Sequence, residues 1–465
     1  MRKILLATFL TGIVASLGVA QYHDPVYITG GYYPSTSTLN YNRGIWLADA
    51  KNQSFTRLLQ QGYYSYCQTM DSDNKRIVFS VNGTTSTLYQ GVKSGLYRYD
   101  PGNATLKTII ADPNLFYSVY NVQINQDGDY VFGCYRKTVT PSTTYNYYVF
   151  KLSYGGTLTT LLSSAQVGSR AYFDFHMARN MDTGNLLVNN ATSNSAAGLA
   201  YGLLDVADDG TFSTWSTGGS YGWYGRYNMP LDHDTGFIEG VYGSNVYQLK
   251  PGNTSRTTLW QLGYAGGVNL ANPCKFDLQS APNKRWVVPG YIQNSSGGQD
   301  AAIFYVDQKT YTVTGVNVDV ASTAVNNHRY FYDIDFFEGR HLQTAKVAPG
   351  RWQIQMSCPR FANKAYALAL GASGYRPGVT LPDGRKIHLN LDSTVVASWR
   401  GLIRPFFDPG PGVLDPTGRA LGSIDVSSVA GGGKLNVTVW LAMVVLDPAA
   451  PWGIAYLPDT YVMRL

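Results

Sequence analysis

Along most of the chain, apolar and polar residues alternate in short runs, and each run ends in a cluster of Asp, Asn, Gly or Pro. Alternation with a period of two marks a half-buried strand, and the punctuating residues are those that build tight turns. One unit recurs: a strand, a polar turn and a second strand. Its copies run Tyr66–Phe79, Val122–Phe132, Phe175 through Asp182-Thr183-Gly184 to Val188, and Tyr227 through Asp234-Thr235-Gly236 to Ile238. Two more run Phe276–Val288, turning at Ala281–Lys284, and Phe331–Leu342, turning at Glu338-Gly339. The spacing is about 53 residues, close to that of propeller blades.

A second hairpin lies between successive copies. It reads Gly95–Lys107, Tyr148–Leu158, Leu203–Phe212 and Tyr247–Thr254, with Pro-Gly, Gly-Gly or Asp-Gly at the bend. Two hairpins per repeat make a four-stranded blade, and blades set in a ring bury their faces against one another. The expected fold is therefore all-β, with a six-bladed β-propeller. The hairpin Gly44–Leu59 lacks a preceding inner strand, and the copy near Phe331–Leu342 lacks a following hairpin. The two ends should complete one shared blade. A seventh blade follows only if Val26-Tyr27-Ile28-Thr29 starts a further, incomplete one. An elongated solenoid would repeat at a shorter period and would not need its ends to complement each other.

From about Gly350 the repeat is lost. Strands separated by Pro-Gly, Asp-Gly and Thr-Gly turns predict a small β-sandwich-like domain over 350–465, after a propeller over 21–349. Five stretches stand out: Gly371–Gly374, Pro377–Arg385, the strand Ile387–Asp392, Leu414–Ala420 and Val445–Asp447. Taken together they resemble a C-terminal module that recurs in large secreted bacterial proteins. That resemblance implies export and accessory packing, and the residues themselves read as hairpin turns. The repeats resemble the broad propeller superfamily of secreted proteins, without the signature of a named subfamily. This implies the fold and no activity.

Composition fits the same picture. The chain has 36 Tyr and 49 Gly, and only 14% of its residues are charged, against about 25% in ordinary domains. Glutamate stands only at Glu239 and Glu338. Helix formers are scarce and strand and turn formers abundant. At the N-terminus, Arg2 and Lys3 precede an apolar stretch from Ile4 to about Val14, and Gly18 and Ala20 give a small-x-small site. This is the pattern of a signal peptide over 1–20, placing the protein outside the cell, at its surface or in the periplasm. No other run reaches the ~20 apolar residues of a spanning helix, so no stable membrane insertion is expected. The net charge of +6 is spread thinly, without the concentrated footprint of a nucleic-acid binder. Cys67, Cys134, Cys274 and Cys358 are far apart; one or two disulfides or buried thiols both fit.

Candidate chemistry gathers just before the inner strands, where aromatic residues recur: Tyr66, Phe116, Tyr120, Tyr172, Trp223, Tyr224, Tyr227 and Tyr332 among them. In a ring these segments lead into the central channel on one face. Aromatic rings there stack on sugars or grip an extended chain; they serve equally to pack blade on blade. The expected ligand-binding set is Tyr66, Tyr120, Tyr172, Trp223, Tyr224, Tyr227, Lys275, Asp277, His328 and Tyr332. Gln68, Asn121, Asn228 and Asp333 stand at the same level. Asp174, His176 and Arg226 are the candidates for general acid–base chemistry on a polysaccharide, although no second carboxylate of known spacing accompanies them. No HxH, HExxH or phosphate-cradling motif occurs, and Asp71-Ser72-Asp73 and Asp232–Gly236 suit turns better than calcium loops. No metal and no cofactor are expected. Three readings remain: a recognition protein for carbohydrate or protein, a polysaccharide hydrolase or lyase, and a structural component of an envelope or matrix.

Overall fold

The computed structural model describes the strands named below, the segments 93–112, 115–139, 143–167, 173–190, 202–217, 231–232, 234–242 and 245–252, and 341–465 apart from 409–410, 430–434 and 459. Residues 1–20, read from the sequence as a signal peptide, lie outside the described residues.

Among the described residues the repeat region forms six four-stranded antiparallel sheets. Five follow chain order from the innermost strand outward. They are β4 (Tyr66–Asp73) to β5 (Arg76–Asn82), β6 (Gly95–Asp100) and β7 (Thr105–Ala111), and β8 (Ser118–Ile124) to β9 (Tyr130–Val139), β10 (Thr143–Leu152) and β11 (Leu158–Ser163). Next come β12 (Phe173–Arg179), β13 (Leu186–Asn190), β14 (Gly202–Val206) and β15 (Phe212–Thr217). Then β16 (Leu231–Asp232), β17 (Phe237–Tyr242), β18 (Asn245–Leu249) and β19 (Thr257–Gln261) are followed by β20 (Asp277–Gln279), β21 (Arg285–Gln293), β22 (Gln299–Asp307) and β23 (Val313–Val318).

The sixth sheet is the seam. Its order is β24 (His328–Phe336), β1 (Val26–Tyr33), β2 (Arg43–Asp49) and β3 (Ser54–Gln61), so the last strand of the repeat region is the innermost strand of the first blade. Val26–Thr29 pairs with Phe336–Asp333 on one side and with Ala48–Ile45 on the other. The stretch from which a seventh blade would start is thus the second strand of this shared sheet. The fold is a β-propeller whose two ends meet in one blade.

Among the described residues, four hydrophobic clusters each bridge two successive propeller sheets, which is what a radial stack requires. Ile45 of β2 packs with Ile77, Phe79, Val81, Tyr97 and Tyr99. Val78 and Leu96 pack with Phe116, Val122, Phe132 and Phe150. Val131, Val149 and Leu162 meet Met177, Val188 and Leu204. Ala178, Leu187 and Trp215 meet Ile238 and Leu249. The central strand β14 is buried along its whole length, whereas the outer strand β7 is mostly exposed. Phe116 answers the question of aromatic role at its own position. It is fully buried, edge-on to Phe132 and Phe150 at 5.6 and 6.2 Å between ring centroids, and so packs blade on blade.

The sandwich takes up the chain at Leu342, inside the stretch read as the sixth repeat and ahead of the sequence boundary at 350. One sheet is β25 (Leu342–Ala348), β26 (Arg351–Ser357), β32 (Arg419–Asp425) and β30 (Phe407–Asp408). The other is β31 (Gly412–Val413), β27 (Ala365–Gly371), β33 (Thr438–Leu446) and β34 (Ile454–Tyr456), with β35 (Tyr461–Arg464) also on β33. Trp352, Ile354 and Met356 of the first sheet face Leu368, Leu370, Leu441, Met443 and Val445 of the second. Cys134 and Cys358 are unbridged and buried, as small apolar groups, and burial pushes the Cys134 thiol well above its ordinary range. The side chains of Cys67 and Cys274 lie outside the described residues.

Two of the five stretches, Pro377–Arg385 and Leu414–Ala420, are built round turns, whereas Val445 and Leu446 end β33. Asp415 accepts from the amides of Thr417 and Arg419 at 2.8 and 2.9 Å. The backbone of Gly418 is left-handed, and a Cβ there would lie 2.4 Å from the Cys358 carbonyl. Asp383 holds Arg385, whose guanidinium donates to the carbonyls of Ile454 and Pro451 and so ties the Leu381–Arg385 turn to the closing strands. One expectation is corrected. Ile387–Asp392 is not a strand ending in Asp. Its one strand residue is Ile387, in β29 (Lys386–Ile387), which pairs with β28 (Val379–Thr380), and Asp392 caps a helix, Ser393–Trp399. Its carboxylate accepts from Val395 N at 2.8 Å and from the amides of Ala372 and Ser373 at 2.9 and 2.8 Å. Burial pushes this carboxyl up, but the amide donors outweigh it and hold it below the ordinary aspartate range. A group so lowered stabilises the fold above its unfolded pKa of about 3.9, and the gain disappears as pH falls through the folded value. Asp392→Ala should therefore cost about 1–2 kcal/mol at pH 7. In urea titrations at pH 7 and at about pH 2.5, the gap between wild type and variant should narrow at the lower pH; an unchanged gap would assign the loss to packing.

Candidate functional site

Each innermost strand of the propeller runs toward a turn into the second strand of its blade, except β24, which leads instead to β25. The sandwich therefore starts at the turn end of the ring, and it covers three of those turns.

The three turns share one design. Asn125 Oδ1 accepts from the amides of Asp127 and Asp129, both at 2.9 Å; Asn180 Oδ1 accepts from Asp182 N and Asp232 Oδ1 from Asp234 N, each at 3.0 Å. A side chain that captures the amide two residues on fixes such a turn locally. Thr235 Oγ1 also donates to Asp232 at 2.7 Å, and Lys386 meets Asp234 at 3.0 Å, so the Asp232–Gly236 stretch is a turn and a docking point. Among the described residues no cluster of three or more metal-ligating side chains forms.

The handles that these turns offer differ. At the first, Gln126 pairs with β35 as a strand residue would: its Oε1 accepts from Arg464 N at 2.7 Å and its Nε2 donates to Arg464 O at 3.1 Å. Thr344 Oγ1 donates to Gln126 O, and Trp352 Nε1 donates to Asp127 Oδ1 at 3.0 Å. At the second, Met181 is 4% exposed and enters an apolar pocket with Tyr375, Leu389, Val395, Trp440, Ala442 and Val462. Its carbonyl accepts from Trp440 Nε1 at 2.7 Å. At the third, Arg376 donates to the Thr235 carbonyl and reaches back to both oxygens of Asp182, at 2.9 and 3.2 Å. Gly236 is left-handed there, and a Cβ would meet the Arg376 guanidinium at 2.5 Å. Burial, reinforced by Asp182 and Asp232, pushes the Tyr375 phenol far up, so it stays neutral at this seam. Behind the second turn, Asp205 accepts from Asn180 at 3.0 Å and Thr183 at 3.3 Å. Burial raises its carboxyl above the ordinary range despite those donors.

Those expected site residues that the structure describes stand in the innermost strands, away from these turns, and there the backbone carries a recurrent irregularity. The register of β4 breaks between Cys67 and Met70, that of β8 between Tyr120 and Val122, and that of β12 between Phe173 and Met177. In β24 the pairing with β1 passes over Tyr332, between Phe331 and Asp333. Four of the six innermost strands thus depart from regular pairing at the level of Gln68, Asn121, Asp174–His176 and Tyr332. Such bulges re-aim side chains and are common beside binding sites. Tyr66 opens β4 opposite Asn82, Tyr120 faces Gly133, Asp277 opens β20 opposite Val287, and His328 opens β24 opposite Tyr33. Tyr172, Trp223, Tyr224, Arg226, Tyr227 and Lys275 lie outside the described residues.

Sequence reasoning missed the docking face. Gln126, Met181, Arg376 and Trp440 carry it, and none belongs to a chemical motif. The one signal was the repeated Asx turn, in which the residue after the Asx position is polar in one copy and a methionine in the next.

No protein-family model and no curated protein sequence matches the chain. Among solved structures, it is similar to TolB from Acinetobacter baumannii, at 11% identity and a TM-score of 0.42 over 70% of this chain and 72% of that one. It is also similar to a glucose dehydrogenase, at 11% identity and a TM-score of 0.36 over 63% and 92% of the two chains. A third, a putative oxidoreductase (glucose dehydrogenase) from Thermus thermophilus, is 12% identical with a TM-score of 0.34, over 62% and 89%. Likeness at this level transfers no ligand, cofactor or reaction to this chain.

Proposed function

We propose that this is a secreted recognition protein that holds a carbohydrate or an extracellular protein surface at the propeller end away from the sandwich. The observation that carries this reading is the register break shared by β4, β8, β12 and β24. Register shifts also occur between the third and fourth strands of all six propeller sheets, so a shift by itself marks no site; the inner breaks count because they fall at the level of the expected ligand-binding residues. An interruption at one level in several blades supplies a ring of re-aimed positions round the channel mouth. The sandwich already covers three of the turns at one end, which favours the opposite end for a partner. Tyrosine and tryptophan there would give a large contact area with a hydrogen-bonding tip.

Glycan-array binding tests it. A Tyr224→Ala/Tyr332→Ala variant should bind its best glycan roughly tenfold or more weakly, as truncation of central aromatic contacts does. Equal binding by wild type and variant, with the fold intact by circular dichroism, would refute the aromatic platform. The widest break, from Phe173 to Met177, surrounds Asp174 and His176 and favours one alternative, a polysaccharide hydrolase or lyase using these residues with Arg226. That reading requires product release from a polysaccharide panel and its loss in Asp174→Asn.

A further inference from the structure

We propose that the outer face of the helix Ser393–Trp399, with the loop that follows it to Phe406, docks on an anionic phospholipid surface. The helix buries Val395 and Ser398 and turns its other side outward. On that side and in the flanking loop stand Leu391, Val396, Trp399, Leu402 and Phe406, all exposed; Leu391, Trp399 and Leu402 are 68%, 56% and 70% exposed. Scattered single apolar residues on a surface are ordinary. The other exposed large apolar residues among those described are dispersed, from Leu106 to Trp452, whereas five within the sixteen residues 391–406 mark an interaction face.

Charge decides what covers it. Arg400 and Arg404 sit among these apolar residues. The segment's carboxylates are engaged: Asp392 is turned inward onto three backbone amides, and Asp408 pairs with Arg404 at 3.3 Å in an exposed, easily exchanged contact. The whole sandwich region, 342–465, holds 12 Lys and Arg against 7 Asp and no Glu. A second copy on the same face would set Arg400 and Arg404 against their own counterparts across the twofold axis. A negatively charged surface suits them. The apolar residues are exposed, and tryptophan, leucine and phenylalanine with interleaved arginine are the composition of segments that lie in the lipid headgroup boundary. Arginine stems there cover apolar surface while the guanidinium stays at phosphate level. The contact is peripheral, and among the described residues no helix is long and apolar enough to cross a membrane.

Co-sedimentation of the full chain with vesicles tests it. Phosphatidylcholine vesicles containing phosphatidylglycerol should retain the protein at low salt, and pure phosphatidylcholine vesicles should not. Retention should weaken as salt rises. Trp399→Asp/Leu402→Asp should bind roughly tenfold or more weakly. Arg400→Glu/Arg404→Glu should also lose binding, with both melts unchanged. Leu106→Asp, which adds a charge at an exposed leucine on the outer propeller strand, should bind as wild type does. Equal retention by Trp399→Asp/Leu402→Asp, no retention on the charged vesicles, or a wild-type dimer that this variant dissolves would each overturn the proposal. The glycan experiment above reads the opposite end of the molecule, so the two can fail separately.

Discussion

Met181→Asp is expected to undock the sandwich from the propeller while each half keeps its own fold. Met181 fills a pocket made entirely by the other domain: Tyr375, Leu389, Val395, Trp440, Ala442 and Val462. Removing its side chain would forfeit that burial and leave a cavity, typically at a cost of about 2–5 kcal/mol. Aspartate adds a buried carboxylate beside a phenol already pressed by Asp182 and Asp232, and Arg376, which lies over the Tyr375 ring, is already engaged by Asp182. The Trp440 indole also loses a well-placed acceptor at the Met181 carbonyl if the turn withdraws. Calorimetry should then resolve two transitions, and a protease should cut between the domains, near 337–341. Met181→Leu keeps apolar volume and should cost less than about 1.5 kcal/mol. A single unchanged transition in Met181→Asp would mean that the hydrogen-bonded handles at Gln126 and Arg376 suffice without the apolar plug.

Ile28→Pro should destabilise the propeller more than any exposed substitution. Ile28 lies in β1 between two partners, opposite Ile334 of β24 and Trp46 of β2. In a central strand every amide faces a neighbour, so proline removes a ladder bond and its ring crowds the pairing. An orphaned partner costs about 1–3 kcal/mol, with strain added. The loss falls on the one sheet that joins the two ends of the repeat region, so it should open the ring and not merely fray an edge. Urea unfolding should show a markedly lower midpoint, and size-exclusion chromatography an expanded or associating species. A variant that unfolds at the wild-type midpoint would show that the seam contributes little to closure.

Much of the propeller was legible because its blades repeat a local code: Asx-Gly turns, alternating apolar positions, and outer hairpins such as Gly95–Lys107 that the structure places as β6 and β7. The seam was legible from complementarity, since Gly44–Leu59 lacked an inner strand and the last copy lacked a hairpin. The helix Ser393–Trp399 was not. Thr394, Val395 and Val396 favour strands, and the Asp392 cap that fixes the helix gains its full set of donors only when Ala372 and Ser373 fold against it. The sandwich's first strand fell before the boundary set at 350 because nothing in Leu342–Ala348 marks it off from a blade strand. The docking face was invisible for a plainer reason. Gln126 and Arg464 lie 338 positions apart, and neither advertises its partner.

The seam also sets an order of assembly. Strands β1 to β3 are made first, yet the neighbour that completes their sheet, β24, comes some three hundred residues later. During synthesis, then, β1 offers a bare row of amides and carbonyls, the kind of template on which chains aggregate. A nascent molecule must keep that ribbon from strangers until its own final stave arrives, so delay in making or delivering the distal portion exposes the oldest part of the protein to mispairing.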